Sequence, residues 1–464
     1  MSVYKARFNC PGCGSPLETV EGTISIRCSF CALVMRIGAP GKILKYYYYS
    51  KFESFSLKFS VEKHLKENDK LTNLKVIDIR LYYLPFYRFR GMSYTLVSEK
   101  IIEEEVVDFD QRILPSRIIF HQKCRHFDLT IPAFETKEIG LDTLGVRPEV
   151  MPLNVMTVGA IQSDAALLDL VATPEDARKY ALGMRAFNLG ISLEGKEHVS
   201  SEMIGEGLAV IYYPVWALNA ILGGLECTYF IDGLSGRVIN EIPGRFEYSP
   251  EGKDLSRSNL FSAVTHRCPN CGAELPVSDF SLVYYCANCR KSFIIDNDAY
   301  RLIRTRSARL EMSDQSYPFW LFAFSVGNGH KSVGEFARLL TGEIPLIAKD
   351  KASQPFYLFV PAFKTPDLES LTTKCIRLNR TQPILEIAEE EIIPAAEMIL
   401  PESEAVELAA FYWTVMKSKY RHLNAPAYDF KKENIGQGEL IWLTFAELQS
   451  SPFANKGVSS TRAL

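Results

Sequence analysis

Eight cysteines carry the clearest chemistry in this chain. They form four Cys-x-x-Cys pairs, Cys10/Cys13, Cys28/Cys31, Cys268/Cys271 and Cys286/Cys289, arranged as two copies of C-x2-C-x14-C-x2-C that lie 258 positions apart. A Cys-x-x-Cys turn directs two sulfurs at one ion, and two such turns complete a tetrahedral four-thiolate site. A closed site of this kind has no position for water or substrate. Its role is structural, and its binding energy becomes folding energy of the small ribbon around it. Matched sets of four are ligand arithmetic, whereas a redox dithiol needs one nucleophile and one resolving partner. The expected cofactors are two Zn2+, one per four-cysteine ribbon.

Iron is the rival metal, since an all-sulfur tetrahedral site suits it too. A rubredoxin-like knuckle places glycine after both cysteine pairs. Here Gly14 and Gly272 follow the first pairs, but Ala32 and Arg290 follow the second, which speaks for zinc. The other three cysteines, Cys124, Cys227 and Cys375, are scattered. An odd total of eleven fits metal ligation in a reducing compartment better than a disulfide framework. With no apolar leader in the opening residues, the expected location is cytoplasmic.

Weaker constellations read as ordinary structure. His121-x-x-Cys124-x-His126 has no standard ligand spacing and reads as strand or loop. Glu103–Glu105 and Glu389–Glu391 read as solvated faces rather than paired catalytic carboxylates. None of the seven histidines sits in a metalloprotease, triad or nucleophile motif, and no phosphate-binding glycine loop occurs. No catalytic residue is therefore assigned. Arg301, Arg304, Arg306 and Arg309, near Tyr284, Tyr285, Phe293 and Tyr300, could form a basic-aromatic nucleic-acid face. Strand alternation with arginines turned to solvent is the favoured reading, since the patch is short and the whole protein slightly acidic. The 52 Lys+Arg against 55 Asp+Glu, a net charge of −3, exclude a whole-protein grip on nucleic acid. Tyr46–Tyr49 reads as a strand burying alternate rings rather than a stacking surface.

The elements that must position these residues follow from periodicity and turn chemistry. At 464 residues, 47% of them hydrophobic, the chain can bury several cores without disulfides. The apolar run Leu208–Leu225 is long enough for a membrane span, but Pro214, Asn219 and Gly223-Gly224 mark antiparallel strands joined by a hairpin turn. The insert before Ser60 alternates like a strand, and Ser60 can cap a short helix. The strand around Pro85 predicts an edge or bulge there. Thr173-Pro174-Glu175-Asp176 opens a helix that Gly190 can stop, and Ser332–Glu335 is a capping box for a helix closed by Gly342. Residues 402–422 predict the longest helix, with Ala405, Leu408, Ala409, Tyr412 and Val415 on its apolar face.

Similar landmarks recur after each ribbon: Pro85 and Pro318 in Pro-x-aromatic strands, Pro132 and Pro361 in Pro-Ala-Phe segments. The expected fold is α+β with an internal duplication, each β-hairpin zinc ribbon being followed by a mixed module with antiparallel strands. The expected boundaries are ribbon 1 at 1–45, module 1 at 46–242, a linker at 243–264, ribbon 2 at 265–300 and module 2 at 301–464.

Both ribbons resemble the transcription factor IIB-type zinc ribbons that open many bacterial proteins, and the whole pattern resembles large bacterial tandem zinc-ribbon proteins. Some of those are encoded beside SPFH-domain (flotillin-like) or phage-shock-type membrane proteins. The resemblance implies a scaffold or adaptor, at a membrane surface in some cases and without a transmembrane helix. The leading expectation is thus a non-catalytic scaffold that binds other proteins, with hairpin tips such as Glu18–Val20 and Val277–Asp279 presented to them. The second is a nucleic-acid-binding ribbon protein of transcription or repair. The third is an iron-loaded redox protein.

Overall fold

The computed structural model describes residues 5–38, 43–68, 73–101, 117–134, 137–142, 144, 152–156, 161, 165–180, 196–248, 262–296, 298–310, 315–327, 329–341, 348–387 and 396–444. The glutamate runs at 103–105 and 389–391, the helix stops at Gly190 and Gly342, and residues 249–259 lie outside these. The chain divides into two units: 1–91, 127–191 and 206–280 form the first, and 92–126, 192–205 and 281–464 the second.

A ten-stranded sheet lies mostly in the first unit; the parts of its strands at 92–101, 117–126 and 196–205 fall in the second. Its strands are β1 (Lys5–Asn9), β2 (Pro16–Val20), β5 (Leu44–Tyr47), β6 (Leu74–Ile101), β7 (Arg117–Pro132), β8 (Leu153–Val155), β9 (Ala166–Leu167), β10 (Lys196–Leu222), β11 (Leu225–Asp232) and β12 (Val238–Pro243). The order is β12-β11-β10-β5-β8-β1-β2, with β6 pairing β10, β7 and β9. A smaller sheet joins β3 (Ser25–Arg27), β4 (Val34–Gly38) and β13 (Ser262–Thr265) in the order β13-β4-β3.

The central strand β10 is buried on both faces, whereas β1 at the other side of the sheet alternates exposed and buried residues. Along β10, Ile211, Tyr213, Val215 and Ala217 enter one apolar core, while Val210, Tyr212, Trp216, Leu218 and Ala220 enter another. A strand buried on both faces reads as an unbroken apolar run, which accounts for Leu208–Leu225 without a membrane. The hairpin falls at Gly223-Gly224, both left-handed (φ 59° and 87°), where Leu222 pairs with Leu225. The tyrosine run behaves likewise: Tyr46 and Tyr48 face one core and Tyr47 the other. Helix α1 (Ser54–Glu67) covers the second face through Leu57, Val61 and Leu65. It starts six residues before Ser60, because i, i+4, i+8 burial outweighs the aromatic alternation that reads as strand. Thr173 caps the next helix as expected, its Oγ1 accepting the Asp176 amide at 3.1 Å.

The second unit holds a five-stranded sheet in the order β19-β18-β21-β17-β20, where β17 is Thr305–Arg309, β18 Ser316–Ala323, β19 Tyr357–Pro361, β20 Glu386–Ile387 and β21 Glu439–Thr444. A second sheet is formed by β14 (Val283–Cys286), β15 (Lys291–Asp296) and β16 (Ala299–Ile303). Helices α2 (Val333–Thr341), α3 (Leu368–Thr381) and α4 (Glu402–Ser418) supply the rest of the core. The α2 capping box is present: Glu335 N–H donates to Ser332 Oγ at 3.3 Å, and the Glu335 carboxylate accepts the Ser332 amide at 2.9 Å. The backbone amides of Lys331 and Ser332 hold the Glu335 carboxyl down at about 2. Helix α4 buries Ala405, Leu408, Ala409, Tyr412 and Val415 as its spacing predicts.

The expected α+β fold of duplicated ribbon-plus-module halves is corrected by this architecture. Strand makes up 47% of the described residues and helix 22%, so the fold is mainly β with large sheets. β6 and β10 run 28 and 27 residues. Pro85 lies inside β6, its carbonyl accepting the Ala133 amide at 3.0 Å. Ala362 donates in the same way to the Pro318 carbonyl at 2.9 Å, but a repeated plan is not shown. Within 243–264, Phe246 is buried and Ser262–Thr265 is paired strand. No helix among the described residues is long and apolar enough to cross a membrane.

Candidate metal centres

The cysteine pairs converge as their spacing requires. In ribbon 1, the turn after β1 carries Cys10 and Cys13, and the turn between β3 and β4 carries Cys28 and Cys31. The four sulfurs lie within 4.8 Å of one another, as do those of Cys268, Cys271, Cys286 and Cys289. The Cys10 and Cys31 sulfurs are 3.7 Å apart, and those of Cys13 and Cys28 3.8 Å. A tetrahedron of sulfurs at the ~2.3 Å zinc–sulfur bond length has edges of about 3.8 Å. The donor set and its spacing therefore fit a metal ion, and each cluster could hold one.

Each knuckle is shaped by its backbone. The amide of the residue after the second cysteine donates to the carbonyl of the first: Gly14 to Cys10 at 2.8 Å, Ala32 to Cys28 at 3.0 Å, Gly272 to Cys268 at 2.9 Å and Arg290 to Cys286 at 2.8 Å. All four donors are left-handed, with φ of 76°, 59°, 75° and 54°. The second knuckles thus adopt the glycine conformation without glycine, and the missing glycines do not separate zinc from iron. Ala32→Gly and Arg290→Gly are expected to raise the melting temperature, each adding up to about 1 kcal/mol, as relief of left-handed strain exceeds the added unfolded-state entropy. Calorimetry of the metal-loaded variants checks this, and a lowered melting temperature would refute it.

In ribbon 1, Cys13 and Cys28 are shifted toward the thiolate form that metal binding needs, whereas, against the lowering effect of the Leu33 amide, burial and the neighbouring thiols push Cys31 up to about 12. Hydrogen bonding from the Ser15 side chain and backbone lowers the Cys13 thiol to about 6. Backbone amides of Cys31 and Phe30 lower Cys28, Phe30 N–H lying 3.4 Å from its sulfur. Cys10, Cys28, Cys268 and Cys286 are buried, whereas Cys13, Cys31 and Cys271 are exposed.

The other candidates do not assemble into a site. His121 pairs with Glu99 at 2.8 Å, His126 with the Thr365 carbonyl at 2.7 Å, and buried Cys124 accepts from the Thr372 hydroxyl at 3.4 Å. Arg301, Arg304, Arg306 and Arg309 are all exposed on β16, β17 and the residue between them. Two already face carboxylates: Arg301 has Asp296 at 3.8 Å and Glu402 at 3.9 Å, and Arg306 has Glu439 at 2.7 Å. Of the nearby rings, Tyr284 and Phe293 are buried and only Tyr285 is well exposed.

The hairpin tips expected to face partners make contacts within the chain while keeping exposed surface at Glu18 and Val277. Glu18 pairs with Lys5 and Arg7, both at 2.8 Å. Glu21, in the turn that follows, is buried against Arg88. Ser278 and Asp279 give their carbonyls to Ser25 and Ile24 of ribbon 1. Sequence reasoning missed this clasp and its strand β13; the only signal was the four-residue apolar–polar stretch at 262–265 inside a polar segment.

Comparison with protein-family models, with curated proteins and with solved structures finds no match. The likeness to transcription factor IIB-type ribbons rests on the cysteine clusters alone.

Proposed function

We propose that this chain is a zinc-stapled, non-catalytic adaptor for other proteins, each four-cysteine cluster holding one Zn2+. The observation that carries the reading is the closed set of four sulfurs at zinc-compatible separation, which leaves no open position for a reactant. The zinc would be held by Cys10, Cys13, Cys28 and Cys31 in ribbon 1 and by Cys268, Cys271, Cys286 and Cys289 in ribbon 2. The apolar surface that ribbon 1 offers a partner is at its knuckle end, where Phe30 is 66% exposed. Docking at a membrane surface enters this proposal through the resemblance only. The nucleic-acid reading has less support, since Arg301 and Arg306 already face carboxylates of the chain.

Affinity purification of the full chain from its host, with and without nuclease, tests the proposal. Protein partners that survive nuclease and are lost with Phe30→Ala are the expected result. Partners that disappear with nuclease, with binding to nucleic acid that falls steeply with salt and with Arg304→Ala, would overturn it.

A further inference from the structure

We infer that the two cysteine clusters are coupled through a direct clasp between the ribbons, so that loss of metal from the first loosens metal in the second. The inference rests on the reading that both clusters bind metal. The clasp starts at the ligands themselves. Three residues after Cys31, Val34 gives its carbonyl to the amide of His266 at 3.1 Å, two residues before Cys268. Leu33, between Cys31 and Val34, accepts the Cys28 amide at 2.9 Å. One backbone path of a few residues therefore links a ligand turn of each cluster.

The contact spreads from there into a sheet. β4, which leaves the second knuckle of ribbon 1, pairs antiparallel with β13, which enters the first knuckle of ribbon 2: Met35 with Thr265, Arg36 with Val264, Ile37 with Ala263 and Gly38 with Ser262. On the other strand of ribbon 1, Ser25 is fully buried. Its hydroxyl donates to the Ser278 carbonyl at 2.9 Å and accepts the Ser278 amide at 3.0 Å, and Ile24 N–H donates to Asp279 O at 2.7 Å. The Arg27–Glu274 pair at 3.2 Å is half-exposed and adds little. Buried backbone groups need partners. If ribbon 1 unfolds without metal, the amides of His266 and Ser278 lose their acceptors, and the segment holding Cys268 and Cys271 loses its template. Since metal binding and ribbon folding are one equilibrium, the free energy of that contact becomes coupling between the sites.

The test is stepwise zinc release from the intact chain under a chromophoric chelator, with metal counted per chain. Wild type is expected to release two zinc ions in one concerted transition. Cys13→Ser, which alters one exposed ligand, is expected to weaken retention of the remaining zinc at least tenfold. Ser25→Ala keeps all eight ligands and should still bind two, but release them in two separated steps; it guards against misfolding of the cysteine variant. Two independent steps in wild type, or a Cys13→Ser chain that holds one zinc as tightly as wild type, would overturn the coupling. A wild type that binds fewer than two metals would instead sink the metal reading itself.

Discussion

Glu21→Ala is expected to destabilise the first unit by about 3–5 kcal/mol, the range for removing one partner from a buried ion pair. Glu21 and Arg88 are 2% and 1% exposed and directly paired. Arg90 lies 3.5 Å from the same carboxylate. Arg88 also reaches Asp128, its Nε at 2.8 Å from Oδ1. The alanine variant leaves the buried Arg88 guanidinium without its Glu21 partner, with Asp128 still paired to it. Asp128 retains part of the Arg88 charge balance, so the lower half of the range is expected. The turn itself is tightly fitted: a Cβ on Gly22, at φ +83°, would sit 2.0 Å from an Arg90 nitrogen. The urea midpoint of the metal-loaded protein measures the effect. The double variant Glu21→Ala/Arg88→Met should recover part of the loss, because removing both charges costs less than stranding one. A shift below about 1 kcal/mol for Glu21→Ala would mean that this pair does not anchor the ribbon.

Metal removal is expected to have the larger effect. Structural zinc in finger peptides contributes roughly 10–16 kcal/mol, comparable with the whole stability of an ordinary domain, about 5–15 kcal/mol. Here the ligands are also core residues: Cys10 and Cys28 pack with Phe8, Leu17, Met35 and Tyr46. Chelation, or Cys28→Ser in the loaded protein, should disorder ribbon 1 and lower the melting temperature by at least about 10 °C. Differential scanning calorimetry with near-ultraviolet circular dichroism reports both changes. An unchanged melting temperature after complete chelation would show that the ribbons fold without metal.

What was legible in the sequence was what depends on short-range spacing. The cysteine clusters, the Gly223-Gly224 hairpin, the Thr173 and Ser332 caps and the apolar face of α4 are each set by residues within a few positions or by ligand arithmetic. What was hidden depends on who faces whom across the fold. The strands β6 and β10 carry apolar residues on both faces, so their length is invisible to an alternation rule. Phe55 and Phe59 alternate like strand residues, yet both are exposed on a helix. Glu21 beside a glycine looks like a solvated turn until Arg88 arrives from 67 residues away. The ribbon clasp joins Ser25 to Ser278 across 253 positions, and neither serine has a distinctive local pattern. The duplicated α+β plan failed for the same reason: short motifs recur, but the sheets are assembled from distant segments.

The central claim is that two closed four-thiolate sites hold zinc. Elemental analysis together with the visible spectrum of the freshly purified chain is the decisive measurement. Two zinc ions per chain and no visible absorption are expected. Iron with thiolate charge-transfer colour, or a chain with fewer than two metals and eight freely titrating ligand thiols, would contradict it.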